Sequence, residues 1–218
     1  MTTSKRTTRQ AKTKRSSTTR DPEVTKAQIL DAAEEEFATA GLAGARTEAI
    51  ASQTGVTKAM IYYYFQSKEE LYKAVLERAY AEHFRSIQQM DVEHLPPQQA
   101  LESIISQFLQ QMSKNLNLAS ILFLEAIQNK GKYYPKQTGE LIYGTLSRIL
   151  SRGIAEGVFR PLEPRHTAVN IVGTCVFYFS AHENIKFLWS GKRMLSKEML
   201  EQHTQEAIAL ILAGVHLN

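Results

Sequence analysis

The sequence is short of the residues that staple or anchor a chain. A single cysteine, Cys175, excludes an intramolecular disulfide and suits a reducing cytoplasm. No run reaches the roughly 18 apolar residues of a membrane span; the best stretch, Ala207 to Val215, is far too short. The N-terminus is polar, so a secretory signal is not expected. Residues alternating with a period of two are lacking, which excludes an ordinary sheet protein. His83, His94, His166, His182, His203 and His216 form no HExxH pattern and no cluster with cysteine. Walker A, GxGxxG and GxSxG loops are missing too. Metal, cofactor and catalysis are therefore not expected.

Acid is absent from residues 1–20, which hold seven of the 26 basic residues. The remaining 19 bases face 22 acids, so the net charge of +4 belongs to a tail and the body is about −3. The Ser/Thr-rich tail reads as a disordered leader or as a flexible arm that neutralises phosphates or enters a minor groove. Placed before a DNA-reading motif, the arm reading is the stronger, with Lys12, Lys14, Arg15 and Arg20 as its contacts.

The periodicity that is present is helical throughout. A first helix opens at Asp21-Pro22-Glu23, buries Ile29, Leu30, Ala33 and Phe37, and ends at Gly41. A second runs from about Thr47 to Thr54, stopped by Gly55. Thr57 caps a third that reaches about Phe65, and Ser67 with Glu70 forms a capping box for a fourth, running towards Met90. Pro96-Pro97 opens a fifth, Asn117 caps a sixth that ends at Gly131, and a seventh starts near Pro135. Pro164 opens the eighth, and Ser196 caps the ninth. The expected fold is all-α, with about nine helices.

Residues 46–65 carry the chemistry. Two short helices flank a Gly-Val turn, the layout that sets a second helix in the major groove. Ile61 and Phe65, four apart, face inward, which leaves Lys58, Ala59, Met60, Tyr62 and Tyr63 outside and Tyr64 at the edge. Lysine can donate to guanine O6 or N7, and alanine or methionine can pack on a thymine methyl. Tyrosine hydroxyls and helix N-terminal N–H groups bind phosphates.

Residues 26–72 resemble the DNA-binding head of the TetR/AcrR family of bacterial regulators. The resemblance rests on Ile29-Leu30-Asp31-Ala32-Ala33, Phe37, Gly41, Ile50-Ala51, Gly55-Val56-Thr57, Ile61-Tyr62-Tyr63-Tyr64-Phe65, Ser67-Lys68-Glu69 and Leu71. It implies a homodimer with helices 1–4 as head and helices 5–9 as effector-binding and dimerisation body. It also implies phosphate contacts at Thr47, Thr57, Tyr63, Tyr64 and Lys68, and base-edge contacts at Lys58, Ala59, Met60 and Tyr62. The chain departs from such heads at Ala45-Arg46, where Ser or Thr is common, so Thr47 caps the second helix or that helix starts less well capped. Arg46 can offset this with a phosphate contact.

The expected organisation is a basic arm over 1–22, a DNA-binding domain over 23–83 and a ligand-binding and dimerisation domain over 84–218. From Ala168 to Ala181 the eighth helix is apolar nearly all round, which points to burial in a central core or beneath a second subunit; with a DNA motif upstream, a dimer through the eighth and ninth helices is favoured. Phe84, Phe108, Met112, Phe123, Glu125, Tyr143, Phe177, Tyr178 and His182 are the candidates to line an effector pocket, although ordinary core uses the same residue types. Glu125 lies on the solvent face of its helix or turns into a pocket, and exposure is the commoner fate of glutamate. The function these readings support is a transcriptional regulator, a repressor released from a palindromic operator by a small molecule. An architectural DNA binder is the alternative, and an enzyme stands far behind.

Overall fold

The first helix forms because its cap and its stripe agree. In the computed structural model, which describes residues 21–134 and 136–217 and omits the side chains of 82–84 and 138, Asp21 Oδ1 accepts from Glu23 N at 2.9 Å. Helix α1 then spans Pro22–Gly44. Its helical course breaks at Gly41 (φ 66°, ψ 179°), a conformation that a Cβ disfavours. The same glycine lets α1 approach its neighbour: a Cβ there would stand 2.1 Å from Gln128 Oε1.

Helices α2 (Thr47–Thr54) and α3 (Lys58–Phe65) follow, joined through Gly55 in the left-handed region. Thr57 Oγ1 accepts from Met60 N at 3.2 Å and caps α3. Ser67 Oγ accepts from Glu70 N at 3.0 Å and opens α4, Lys68–Gln88. Only this half of the capping box forms; Glu70 turns instead to Lys73, 2.5 Å away.

The rest is α5 (Pro97–Lys114), α6 (Leu116–Gln128), α7 (Lys136–Ala155), α8 (Pro164–Ile185), a 3-10 turn over Lys186–Trp189, and α9 (Lys197–Val215). Asn115, not Asn117, caps α6, its Oδ1 accepting from Leu118 N at 3.1 Å; Asn117 lies within the first turn. Among the described residues, β structure is limited to one bridge between Phe159 and His216. No helix is long and apolar enough to cross a membrane.

Two hydrophobic cores result. The smaller packs Ile29, Phe37, Ile50, Ile61, Phe65, Tyr72 and Leu76 from α1–α4. The larger packs Leu101, Ile105, Leu109, Leu150, Ile171 and Phe179 from α5 onward. The cores are not independent. Ile121 of α6 belongs to the first one, and α1 packs more extensively on α6 than any other helix pair packs.

Candidate nucleic-acid interface and enclosed cavity

On α3 the inward pair is Ile61 and Phe65, both buried. One turn of helix carries Tyr62 and Tyr63 to the opposite side, where Tyr63 is 82% exposed. Lys58 and Ala59 are exposed beside them, as are Thr57 and the side chain of Arg46. Together they make a surface with phenol hydroxyls, an ammonium group, a methyl and a helix N-terminus, the inventory a DNA edge requires.

Four expected contacts stand differently. Thr47 is the first residue of α2 and is buried, its hydroxyl 3.5 Å from Tyr62 Oη; Arg46 takes the N-cap position without a side-chain cap. Its backbone N–H is satisfied instead by Glu36 Oε1 at 2.9 Å. Met60 is half-buried and packs on the head core, because position 60 turns back toward α1. Tyr64 is half-buried against the same core. Lys68 Nζ donates to Ala43 O at 3.3 Å and Ala45 O at 3.0 Å, which ties down the end of α1. Lys12, Lys14, Arg15 and Arg20 lie outside the described residues.

Lys58 is not idle. It pairs with Glu48 of α2 and sits 5.8 Å from the Tyr62 ring centroid. The Glu48 carboxylate raises the Lys58 pKa, and Lys58 lowers that of Glu48. The acids of α1 also have structural partners: Glu34 meets Arg78 at 2.8 Å, Glu35 accepts from Gln53 at 2.5 Å, and Glu36 caps α2. Much of the head's acidity is thus held within the head.

The second candidate site is a cavity of about 600 Å³ between α4, α5, α6, α7 and α8. Of the expected residues, Phe108, Met112, Phe123, Glu125 and Tyr143 line it. Phe84's side chain lies outside the described residues. Phe177, Tyr178 and His182 do not line it, because the face of α8 that meets the cavity is Val169, Val172, Gly173 and Val176. That i, i+3, i+4, i+7 stripe was legible in the sequence, hidden by apolar residues all round. Tyr178 points away, its hydroxyl donating to Met194 O at 2.8 Å and its ring stacked 3.9 Å from His203. His182 Nδ1 lies 2.8 Å from Phe179 O. Tyr80 and Tyr134 also line the cavity and were not anticipated from the sequence.

Glu125 corrects the expectation of exposure: its relative exposure is 0%. Oε2 accepts from Tyr72 Oη at 3.0 Å and Asn129 Nδ2 at 2.6 Å, and Oε1 accepts from Tyr133 N at 2.6 Å. Three donors make burial tolerable for a carboxylate. Burial and then the Glu125 charge push the Tyr72 phenol well above its ordinary value, so it remains a donor. Tyr72 belongs to the head core, 4.9 Å from Phe37 between ring centroids and 5.7 Å from Tyr133. A wall of the cavity is therefore hydrogen-bonded to the core behind α3.

The family model for bacterial regulatory proteins of the tetR family matches residues 29–75, and that for the tetracyclin repressor-like C-terminal domain matches residues 97–211. The chain is 31% identical over 162 residues to the HTH-type transcriptional repressor NicS of Pseudomonas putida, across 72% of this chain and 76% of that protein. It is 26% identical over 193 residues to the HTH-type transcriptional regulator RutR of Escherichia coli, across 87% and 90%. The fold superposes on the ketosteroid transcriptional regulator KstR2 of Mycobacterium tuberculosis with a TM-score of 0.73 at 21% identity, over 88% of this chain and 95% of that one. A capped, tyrosine-rich reading helix at one end, a closed cavity at the other, and matches along both halves make this chain a member of the TetR family, a ligand-responsive DNA-binding transcriptional regulator.

Proposed function

We propose that the protein is a cytoplasmic homodimeric repressor whose two heads read a pseudo-palindromic operator and release it when a small molecule enters the body cavity. The DNA-binding unit is residues 23–83, with 46–65 as its reading motif and α4 as connector; residues 84–218 bind effector and dimerise. Lys58, Ala59 and Tyr62 approach base edges, while Arg46, Thr57 and Tyr63 bind phosphates, supported by their shared exposure on one face. Residues 1–22 form a basic arm.

Dimerisation through α8 and α9 is supported by apolar side chains left uncovered in the protomer. Phe177 is 58% exposed and Val169 56%, and Leu210 of α9 is exposed as well. Covering each such side chain contributes about 1.5–3 kcal/mol. The paired heads would then meet half-sites roughly 34–36 Å apart, one helical turn of DNA.

The observation that carries the switching mechanism is the hydrogen bond from Tyr72 to Glu125, with Gly41 seated against Gln128 beside it. A ligand that displaces α6 cannot leave α1 and α4 where they were. Its effect is limited to its difference in affinity between the two head arrangements. Selecting bound fragments from a random DNA pool, then footprinting the winner, tests the reading. One protected palindrome is expected; affinity that hardly depends on sequence would make the protein an architectural binder.

A further inference from the structure

The polar groups of the cavity are unevenly supplied. Tyr80, on α4, is 3% exposed, and its hydroxyl makes no hydrogen bond among the described residues. Tyr134 meets it edge-on with ring centroids 5.6 Å apart, near enough to disturb its ionisation but not aligned to pair with it. A buried hydroxyl left unpaired is unfavourable, so folding that keeps one at a cavity wall holds a group in reserve for a partner.

The other polar groups fix which partner. Tyr134 and Tyr143 line the same space, and burial pushes all three phenols above their ordinary range, so each keeps its proton and can donate. Glu125 is the one carboxylate of the wall, and both its oxygens are engaged by Tyr72, Asn129 and Tyr133. A ligand amine would find no free acceptor there. A ligand carboxylate would share an enclosed space with the Glu125 carboxylate, and Lys130, the cavity's ammonium group, is exposed and screened by water. The remaining wall, from Phe108, Met112, Leu118 and the valines of α8, is apolar.

We propose that the effector is a neutral carbonyl compound, a ketone, ester or amide on an apolar drug-sized body, whose oxygen accepts a hydrogen bond from Tyr80. This rests on the cavity being the effector site. It gives α4 a direct role, because the same helix carries Tyr80 at the ligand and Tyr72 on Glu125, two turns apart. Ligand binding is thereby felt on the helix that joins head to body.

Four molecules with one naphthalene body separate the alternatives: 2-acetylnaphthalene, 2-naphthoate, 2-(aminomethyl)naphthalene and 2-ethylnaphthalene. Titration calorimetry on the full chain should rank the ketone tightest. Tyr80→Phe should weaken the ketone roughly 5- to 10-fold and leave the hydrocarbon unchanged. The same variant should melt no lower than wild type without ligand, since it removes an unpaired hydroxyl. Tightest binding by the amine or the carboxylate overturns the inference, as does an equal loss for ketone and hydrocarbon in Tyr80→Phe. In those cases the cavity still binds apolar bodies and the effector reading survives. Failure of all four to bind would remove both.

Discussion

The head and the body bury similar kinds of side chain but expose their functional groups in opposite ways. On α3 the core side chains Ile61 and Phe65 turn inward and the chemistry is displayed outward, on a single eight-residue helix. In the body the chemistry faces inward, at a cavity assembled from five helices, and one of its groups, Glu125, is fully enclosed. A displayed site depends on local sequence and a cap. An enclosed site depends on the mutual placement of distant segments. The consequence is energetic: a lost surface contact costs binding, whereas a lost interior contact also costs the fold.

Glu125 should break that contrast most sharply. Glu125→Ala strands three donors in the interior and is expected to destabilise the protein by about 3–5 kcal/mol, read as a shift of the urea midpoint. Glu125→Gln keeps the shape and should recover part of the loss. If the alanine variant melts like wild type, the buried network is not holding head to body. Next in size is Phe177→Glu, which sets a charge in the proposed subunit contact. Sedimentation should show monomers, with helical content retained and operator affinity collapsing; an intact dimer would move the interface elsewhere.

On the displayed side the effects are smaller and should spare stability. Lys58→Ala should weaken operator binding roughly tenfold and relax preference at one base position. Glu48→Gln, which frees Lys58 from its partner, should act in the opposite direction and tighten binding. A fall in affinity in both variants would mean that the pair orients the α2–α3 turn and does not gate a base contact. Smallest at low salt, and larger as salt rises, is the effect of deleting residues 1–20. Losing arm–phosphate contacts should flatten the salt dependence of operator binding, and an unchanged slope in the titration would make the arm a spectator.

The interior also makes a chemical forecast. Burial pushes the Cys175 thiol up to about 12, so a thiol-reactive dye should label the native protein only after unfolding. A raised thiol pKa also means that stability is intact below the ordinary thiol range. It falls as pH climbs from there towards 12, because the unfolded chain ionises first.

The sequence by itself determined the helical class, the caps at Asp21, Thr57, Ser67 and Ser196, the turn at Gly55 and the outward face of α3. Each follows from interactions within a few residues, and a 3.6-residue period reports such interactions faithfully. Tertiary structure alone decided the rest. Thr47, Met60 and Lys68 are drawn into the head because α1 reaches them, although local spacing sets them on the outside. Glu125 is buried because Tyr72, 53 residues away, and the turn at Tyr133 bring it donors. Tyr80 becomes a cavity group because α6 and α7 close over it. Burial is a property of what arrives from elsewhere in the chain, and a helix's own periodicity carries no record of which neighbour will arrive.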